Sequence, residues 1–579
     1  MEKHWVLKPQ GDPETVKRIA GELNIDRYLA TLLVQRGIRS YGEAKSFFRP
    51  KIEDLHDPFL MKDMDKAIER ISRALQNGEK ILVYGDYDVD GTTAVSLVYL
   101  FFRNYSGQID YYIPDRYTEG YGISIRSIDF AAEQGFSLVI ALDCGIKAVE
   151  KIQYANSKGI DFIICDHHRP GSTLPEACAV LDPKRSDCPY PYKELSGCGI
   201  GFKLIQAYGL KTGIDFDELR IYLDLVAVSI ASDIVDMTGE NRILAYFGLG
   251  LINTHPRPGI EAILQYGGIE RSSSKGGLFF NKELTITDLV FLIGPRINAA
   301  GRIENGRNSV RLLISDNLEE ARTIGRQIDL YNTERKNLDT LATQQALEMI
   351  SNDPNLKNAR STVIFHPDWH KGVIGIVASR LTETYYRPTI VLTQANGLIT
   401  GSARSVKDFD VYDAIDTCSD LLEHFGGHKF AAGLSLKPEK LDLFRKRFEE
   451  TVAERLKGIE LKPEIEVDVE LPFSVINSKF FNIMKQFSPF GPGNMPPMFR
   501  TDGVIDAEGS RVVGKNHLKL NIAHPEIPGG PFAGIAFQQG EHIWKIEKKI
   551  PFNICYHLEE NEWNGNKSLQ LNVKDIRFD

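Results

Sequence analysis

Three aspartates at alternate positions, Asp86, Asp88 and Asp90, stand in the run Gly85-Asp86-Tyr87-Asp88-Val89-Asp90-Gly91, directly after the apolar residues 81–84. A second cluster, Asp166-His167-His168, directly follows the apolar residues 162–165. Carboxylates set this closely repel one another, and a divalent cation is the ordinary means of neutralising them. Imidazole together with carboxylate is a donor set that suits Mn2+, with Mg2+ as the competitor. Both clusters sit where a buried strand would end, and side chains at the ends of parallel strands converge in the crevice where open α/β sheets bind ligands. The chemistry to expect is that of a metal site.

Other readings explain less. Alternate residues of an extended segment share one side, so Asp86, Asp88 and Asp90 face together, and Gly91 lets the backbone turn into a helix beginning near Thr92. A calcium loop also reads DxDxDG, but it needs a glutamate six residues after the glycine, where this chain has Leu97. A helix-capping turn accounts for one aspartate and not for three. Asp143, in Leu142-Asp143-Cys144-Gly145, follows another apolar strand pattern, and an N-cap alone would also explain it. Asp233 and Asp236 close the apolar stretch 225–236, which read alone is ambiguous between structure and chemistry.

Groups at strand ends need a sheet to hold them. Residues 81–84, 138–142, 162–165 and 179–181 are strand-like, with helical patterns between the first three, which predicts a parallel sheet with crossover helices. The helix over 92–102 is apolar nearly all round and should be buried. Residues 318–350 are amphipathic at helical spacing, with Gly325 the one breaker, and predict a helix connecting two lobes. A second α/β region follows, with strands at 362–365 and 389–392, the run Gly426-Gly427-His428 and a helix over 440–457. After Pro463 the period becomes two, in 465–471, 518–522 and 569–573, with a turn signal at Asn564-Gly565-Asn566. That texture predicts a small all-β barrel or sandwich. The expected limits are a helical segment 1–55, a catalytic α/β domain 56–317, a connecting helix 318–350, a second α/β domain 351–460 and a β domain 461–579.

Size and composition bound the rest. A chain of 579 residues exceeds what one core usually holds. With 69 Lys plus Arg against 78 Asp plus Glu, the net charge of −9 is not that of an obvious nucleic-acid binder, although a cation-loaded site overrides net charge locally. Seven cysteines without a CxxC spacing read as reduced thiols, and the N-terminus lacks the apolar run of a signal peptide. The densest apolar stretch, 94–102, is about half a membrane span. The expectation is a cytoplasmic protein without a membrane partner.

Taken together, four acidic sites at strand or helix ends within one α/β unit resemble the DHH phosphoesterase superfamily, named for the Asp-His-His triplet. The likeness covers nearly the whole chain and is nearest to the superfamily's nuclease branch. It is carried by Gly85 to Thr93, Tyr117-Thr118-Glu119-Gly120-Tyr121-Gly122, Asp143-Cys144-Gly145, Asp166-His167-His168 and Ser232-Asp233. Further along come the runs Gly294-Pro295-Arg296-Ile297-Asn298-Ala299-Ala300-Gly301-Arg302, Trp369 to Gly375, Gly401-Ser402-Ala403-Arg404-Ser405, Gly426-Gly427-His428 and Pro489 to Asn494. Two departures stand out: Ser232 precedes the last metal aspartate where many relatives differ, and Leu82 stands where smaller members carry a histidine, so the first ion should have one protein ligand fewer.

The resemblance implies two α/β lobes joined by a long helix and an OB-like C-terminal barrel. It implies two divalent ions, Mn2+ or Mg2+, held by Asp86, Asp88, Asp143, His167 and Asp233, with Asp88 and Asp143 as candidate bridges. His168 would contact the scissile phosphate or leaving oxygen, and Asp166 would orient an imidazole. Arg296, Asn298 and Arg302, in a Gly- and Ala-rich segment, are suited to a phosphate chain. Ser402, Arg404, Gly427 and His428, on Gly-flanked turns, suit a terminal phosphate, and His370 a base or phosphate. The implied activity is 5′-to-3′ hydrolysis of single-stranded DNA in repair and recombination, by a monomer that works with a single-strand-binding protein and a helicase. A phosphodiesterase for short oligonucleotides or cyclic dinucleotides has no need of the β domain. An inactive scaffold would not keep the five metal ligands.

Overall fold

A computed structural model of the chain describes residues 2–274, 277–563 and 566–578. It forms two compact units, one of Pro58–Asp233 with Gly250–Pro463, the other of Met1–Asp57, Ile234–Leu249 and Glu464–Asp579.

The first unit holds two sheets. Strands β1 (Ile81–Gly85), β2 (Ile109–Tyr112), β3 (Leu138–Leu142), β4 (Asp161–Cys165) and β5 (Ala179–Leu181) lie in the order β2-β1-β3-β4-β5, all parallel. Every residue of β1 and β3 is buried, as expected of strands covered by helices on both faces. Helix α1 (Val89–Phe102) leaves β1 and is buried on nearly all sides. The chain runs from β1 outward to β2, then back past β1 to β3, so the sheet changes winding direction between β1 and β3. That switch point is where open sheets of this order leave a crevice at their carboxyl ends. Helices α2 (Gly197–Thr212) and α3 (Leu223–Asp233) pack against α1.

Residues 294–303, rich in Gly and Ala, form helix α4 (Gly294–Ile303). Helix α5 (Leu318–Asn352) then runs for 35 residues, about 50 Å at 1.5 Å per residue. Its buried residues, Ala321, Gly325, Ile328, Asn332, Asp339, Ala342, Ala346 and Ile350, keep the three-, four- and seven-residue spacing of one helix face. Beyond it, β6 (Thr362–Phe365), β7 (Thr389–Ala395), β8 (Leu398–Arg404), β9 (His424–His428) and β10 (Ala431–Leu436) form a mixed sheet in the order β9-β10-β8-β7-β6. Helix α6 (Ile374–Tyr385) packs on β7 and β8.

In the second unit, β11 (Phe499–Asp506), β12 (His517–Ala523), β13 (Phe532–Ala536), β14 (Phe552–Trp563) and β15 (Asn566–Arg577) close on themselves. The ring runs β11-β14-β15-β13-β12 and returns to β11 through the Ile505–Ala523 and Asp506–Ile522 pairs. A register shift between Thr501 and Val504 bends β11 so that it can pair on both sides. This is a five-stranded OB-like barrel. Of the turn signal Asn564-Gly565-Asn566, the first two residues lie outside the described residues.

Two boundary expectations need correcting. Residues 1–55 are not a separate segment: Ile19, Leu29, Leu32 and Leu33 share one hydrophobic core with Phe473, Phe480, Phe487 and Phe499. The strand His4–Leu7 pairs in parallel with Glu464–Val467, so the alternating residues 465–467 serve that pairing and not the barrel ring. The catalytic domain is also interrupted, because Ile234–Leu249 packs into the second unit. The cause is common to both: short amphipathic helices bury their apolar faces wherever a core is open to them.

Candidate metal centre

The DxDxDG run folds as a strand end passing directly into a helix. Asp86 leaves β1 buried, at 1% exposure, and its Oδ1 accepts no hydrogen bond. Asp88 caps α1, its carboxylate accepting from the Gly91 amide at 3.0 Å. Gly91 is obligatory, since a β-carbon there would lie 2.4 Å from the Asp86 carbonyl oxygen. Asp90, the second residue of α1, accepts hydrogen bonds from the amides of Gly197 (2.6 Å) and Cys198 (2.8 Å) at the start of α2.

Across the switch point, Asp143 ends β3 in the left-handed region, φ 59°, buried at 2% exposure. His167 follows β4, and its Nε2 lies 3.1 Å from Asp143 Oδ1, 3.6 Å from Asp233 Oδ2 and 3.7 Å from Asp90 Oδ2. Three donor sets result, each with ligand atoms within 4.8 Å of one another: Asp86–Asp88–Asp143, Asp90–His167–Asp233 and Asp143–His167–His168. All five expected ligands are brought together. Asp143 belongs to two of the sets, whereas Asp88 groups only with Asp86 and Asp143. The first set therefore has three carboxylates and no histidine, with Leu82 offering no donor to it.

The electrostatics fit a cation. Burial, then the charges of neighbouring aspartates, push the Asp86, Asp88 and Asp143 carboxyls above the usual range, and raise Asp233 to about 8. Burial lowers His167, leaving a neutral imidazole able to ligate. A buried carboxylate oxygen without a hydrogen bond, in a group of repelling acids, is what a divalent ion would satisfy.

Asp166 does not join these sets. Its Oδ1 accepts from the amides of His167 (2.8 Å) and His168 (3.1 Å) and lies 2.8 Å from His168 Nδ1, while Oδ2 accepts from the Ile146 amide (2.9 Å). Burial pulls His168 down, but the Asp166 carboxylate outweighs it and the imidazole is raised overall. His168 lies on the rim of the set, with the Tyr121 hydroxyl 3.3 Å from its Nε2.

A second cluster is cationic. Arg302 on α4 donates to the Gly372 carbonyl (3.0 Å); burial, then the charges of Arg116, Arg335 and Arg404, lower it to about 10. Arg404, at the end of β8, donates to Ser402 Oγ (3.1 Å), Ser379 Oγ (3.2 Å) and the Ala403 carbonyl (2.8 Å). Gly375 keeps the space beside them open, since its β-carbon would lie 3.1 Å from both Arg404 and Ser402. Guanidiniums gathered this way are suited to a phosphate.

Arg296 is not one of them. It pairs with Asp329 at 2.9 Å and donates to the carbonyls of Leu292 and Tyr266, so it braces α4 against α5; Asn298 lies half-buried on the same helix. His370 accepts from the Gly372 amide at 3.1 Å, edge-on to Tyr117. Gly427 has φ 151°, and a β-carbon there would lie 2.3 Å from the Ala431 carbonyl oxygen, so it serves the β9–β10 hairpin. His428 is exposed on β9, in a cleft of about 1000 Å³ lined also by Tyr121, Lys147, Lys151, His168 and Lys371.

Two residues were not assigned a role from the sequence: Asp90, noted only as part of the acidic run, and Arg116. Asp90 continues the alternate spacing of Asp86 and Asp88, which was the signal for it. Arg116, stacked over the Tyr87 ring at 4.9 Å, directly precedes the Tyr117 to Gly122 run. Asp236 belongs to none of the three donor sets.

Acidic donors at the switch point of a parallel sheet, facing a cationic cleft, define a metal-dependent phosphoesterase of the DHH class. The DHH family N-terminal domain matches residues 80–230, the DHHA1 domain residues 358–454 and the RecJ OB domain residues 467–575. The single-stranded-DNA-specific exonuclease RecJ of Bacillus subtilis is 37% identical, over 99% of this chain and 70% of its own length. The RecJ of Escherichia coli is 35% identical over 95% of both chains. The crystal structure of Thermus thermophilus RecJ with Mn2+ superposes with a TM-score of 0.84 at 25% identity, covering 99% of this chain and 79% of the other; the Mg2+ complex gives 0.78. The chain belongs to the RecJ family of DHH phosphoesterases.

Proposed function

We propose that this chain is a metal-dependent exonuclease that hydrolyses single-stranded DNA from its 5′ end, with Mn2+ or Mg2+ as cofactor. The observation that carries the reading is the pair of donor sets sharing Asp143 beside the cationic cleft. Asp86, Asp88 and Asp143 would hold one ion, and Asp90, His167, Asp233 and the shared Asp143 the other. Two divalent ions so held would activate a water and offset charge on a phosphodiester in its transition state.

The chain's own residues supply the rest. His168, oriented and made more basic by Asp166, presents its imidazole at the rim, where it stabilises the leaving oxygen. Arg116, Arg302, Arg404 and Ser402 take the phosphate at the strand's end, which sets direction and makes the enzyme an exonuclease. His428 and the cleft lysines Lys147 and Lys371 follow the backbone. The barrel carries exposed Phe537 and Trp544, available for stacking, whereas Phe499 is core. Among the described residues no helix is long and apolar enough to cross a membrane, and all seven cysteines are free thiols. A cytoplasmic monomer acting in repair and recombination, on strands shared with a single-strand-binding protein and a helicase, completes the reading.

Degradation of single strands labelled at either end, with and without Mn2+, tests it. Loss of a 5′ label as mononucleotide from the first turnover, dependent on metal and abolished in Asp143→Ala, is expected. Release of a 3′ label first would overturn the direction, and wild-type turnover in Asp143→Ala the metal assignment.

A further inference from the structure

Ser229 and Ser196 lie in the protein interior, both at 0% exposure, and neither belongs to the metal donor sets. Ser229 Oγ stands 2.7 Å from Asp90 Oδ1 and 2.6 Å from Ser196 Oγ. A carboxylate can only accept, and a hydroxyl has one proton to give. The one Ser229 proton therefore has two acceptors within reach, Asp90 Oδ1 and Ser196 Oγ, of which the carboxylate is the stronger. Ser196 in turn caps α2, accepting from the Gly199 amide at 3.1 Å. The result is a relay of contacts that joins the α2 N-terminus, through two hydroxyls, to one oxygen of Asp90, beside the two amides that the same carboxylate receives from Gly197 and Cys198.

The relay also spans three helices. Asp90 is on α1, Ser196 and Gly197 begin α2, and Ser229 is on α3. Ser229 lies four residues before Asp233 on α3, hence on the same helix face. A hydrogen bond at Ser229 thereby fixes the axial and rotational setting of α3 relative to α1, and Asp233 is carried one turn further on. Asp90 and Asp233 are the two carboxylates that meet His167 in one donor set, and Ser229 is the side chain that touches the first while sharing a helix face with the second.

We propose that Ser229 is a positioning residue that holds Asp90 and Asp233 at the spacing the second metal ion needs, with Ser196 supporting it, while the Asp86–Asp88 side of the centre is set independently. The proposal rests on the metal reading above. It assigns the relay no contact with substrate and no role in the first set.

The test is calorimetric titration of the full-length, DNA-free protein with Mn2+ alone. The wild-type chain should bind two ions. In Ser229→Ala, which removes only a hydroxyl, one binding step should weaken by about 10- to 100-fold, the usual effect of losing a partner that orients a metal ligand, and the other should be unchanged. Ser196→Ala should weaken the same step by less. The KM for single-stranded DNA should stay at its wild-type value and the Mn2+ concentration giving half-maximal rate should rise. Unchanged affinity at both steps in Ser229→Ala, or equal weakening of both, would overturn the proposal. A wild-type chain that binds fewer than two ions would overturn the metal reading and this inference with it.

Discussion

Gly197 lies against Asp143 so closely that a β-carbon on it would stand 2.6 Å from the Asp143 Cβ and 3.0 Å from its Cα and Cγ. The contact lets the first turn of α2 approach Asp143, which two of the donor sets share, while donating its amides to Asp90. Gly197→Ala should push Asp143 or α2 aside. Since misplacement of about 1 Å can cost about 100-fold in rate, kcat should fall by at least that order. The increase in Tm on adding Mn2+ should shrink in parallel. Full activity in Gly197→Ala would mean that the helix start can move without disturbing the ligand.

Asp182 offers a pH dependence outside the donor sets. It is fully buried at the end of β5, Oδ1 accepting from the Lys184 amide at 2.7 Å and Oδ2 without a hydrogen bond. Burial raises its carboxyl to about 7. A folded value above the unfolded value of about 3.9 means that the folded state holds the proton more tightly. Its stabilising contribution is full below about pH 4 and is lost as pH rises through about 7. In EDTA, Asp182→Asn should therefore gain stability relative to wild type between pH 5 and pH 8, by up to about 2–3 kcal/mol. A wild-type-minus-variant difference that is flat across that window would refute the buried, raised carboxyl.

Arg404 and Ser402 on β8 are the clearest candidates for holding a strand's end. Arg404→Ala should erase any preference for a 5′-phosphorylated over a 5′-hydroxyl strand. Loss of a charge-assisted contact costs about 1.5–3 kcal/mol, roughly 10- to 150-fold. Arg296→Ala should leave the preference intact and lower thermal stability instead, because it unpairs Asp329. Reversed outcomes in the two variants would exchange their roles.

Removing residues 464–579 should not yield a clean catalytic fragment. The deletion would expose Ile19, Leu29, Leu32 and Leu33, whose core partners Phe473, Phe480 and Phe499 would be gone. Limited proteolysis of the truncated chain should cut rapidly within residues 1–57, while residues 58–233 resist. Protection of residues 1–57 in the truncated chain would show that they fold without the barrel.

Much of the site was legible before any fold was known, because its signal is local. An apolar run followed by aspartates at alternate positions means a buried strand with acids at its end, and both properties belong to adjacent residues. That reasoning located the Asp86 to Asp90 and Asp166 to His168 clusters, the long helix and the period-two β region, whereas Asp143 and Asp233, ambiguous when read alone, were singled out by the family resemblance. What it left open was which residues meet. Asp90 and Asp236 look alike in sequence; the helix starting at Gly197 brings two amides to the one, and the other lies outside every donor set. Arg296 and Arg302 share one helix, but Asp329, 33 residues beyond the first, neutralises it and leaves the second among other guanidiniums. The first 57 residues have amphipathic helices whose apolar faces name no partner, and the core that covers them lies more than 400 residues away in sequence. Residue types and their spacing thus determined that metal and phosphate chemistry would occur at strand ends. Only tertiary packing decided which equivalent carboxylate or guanidinium does it, because that depends on desolvation and on partners that spacing along the chain does not encode.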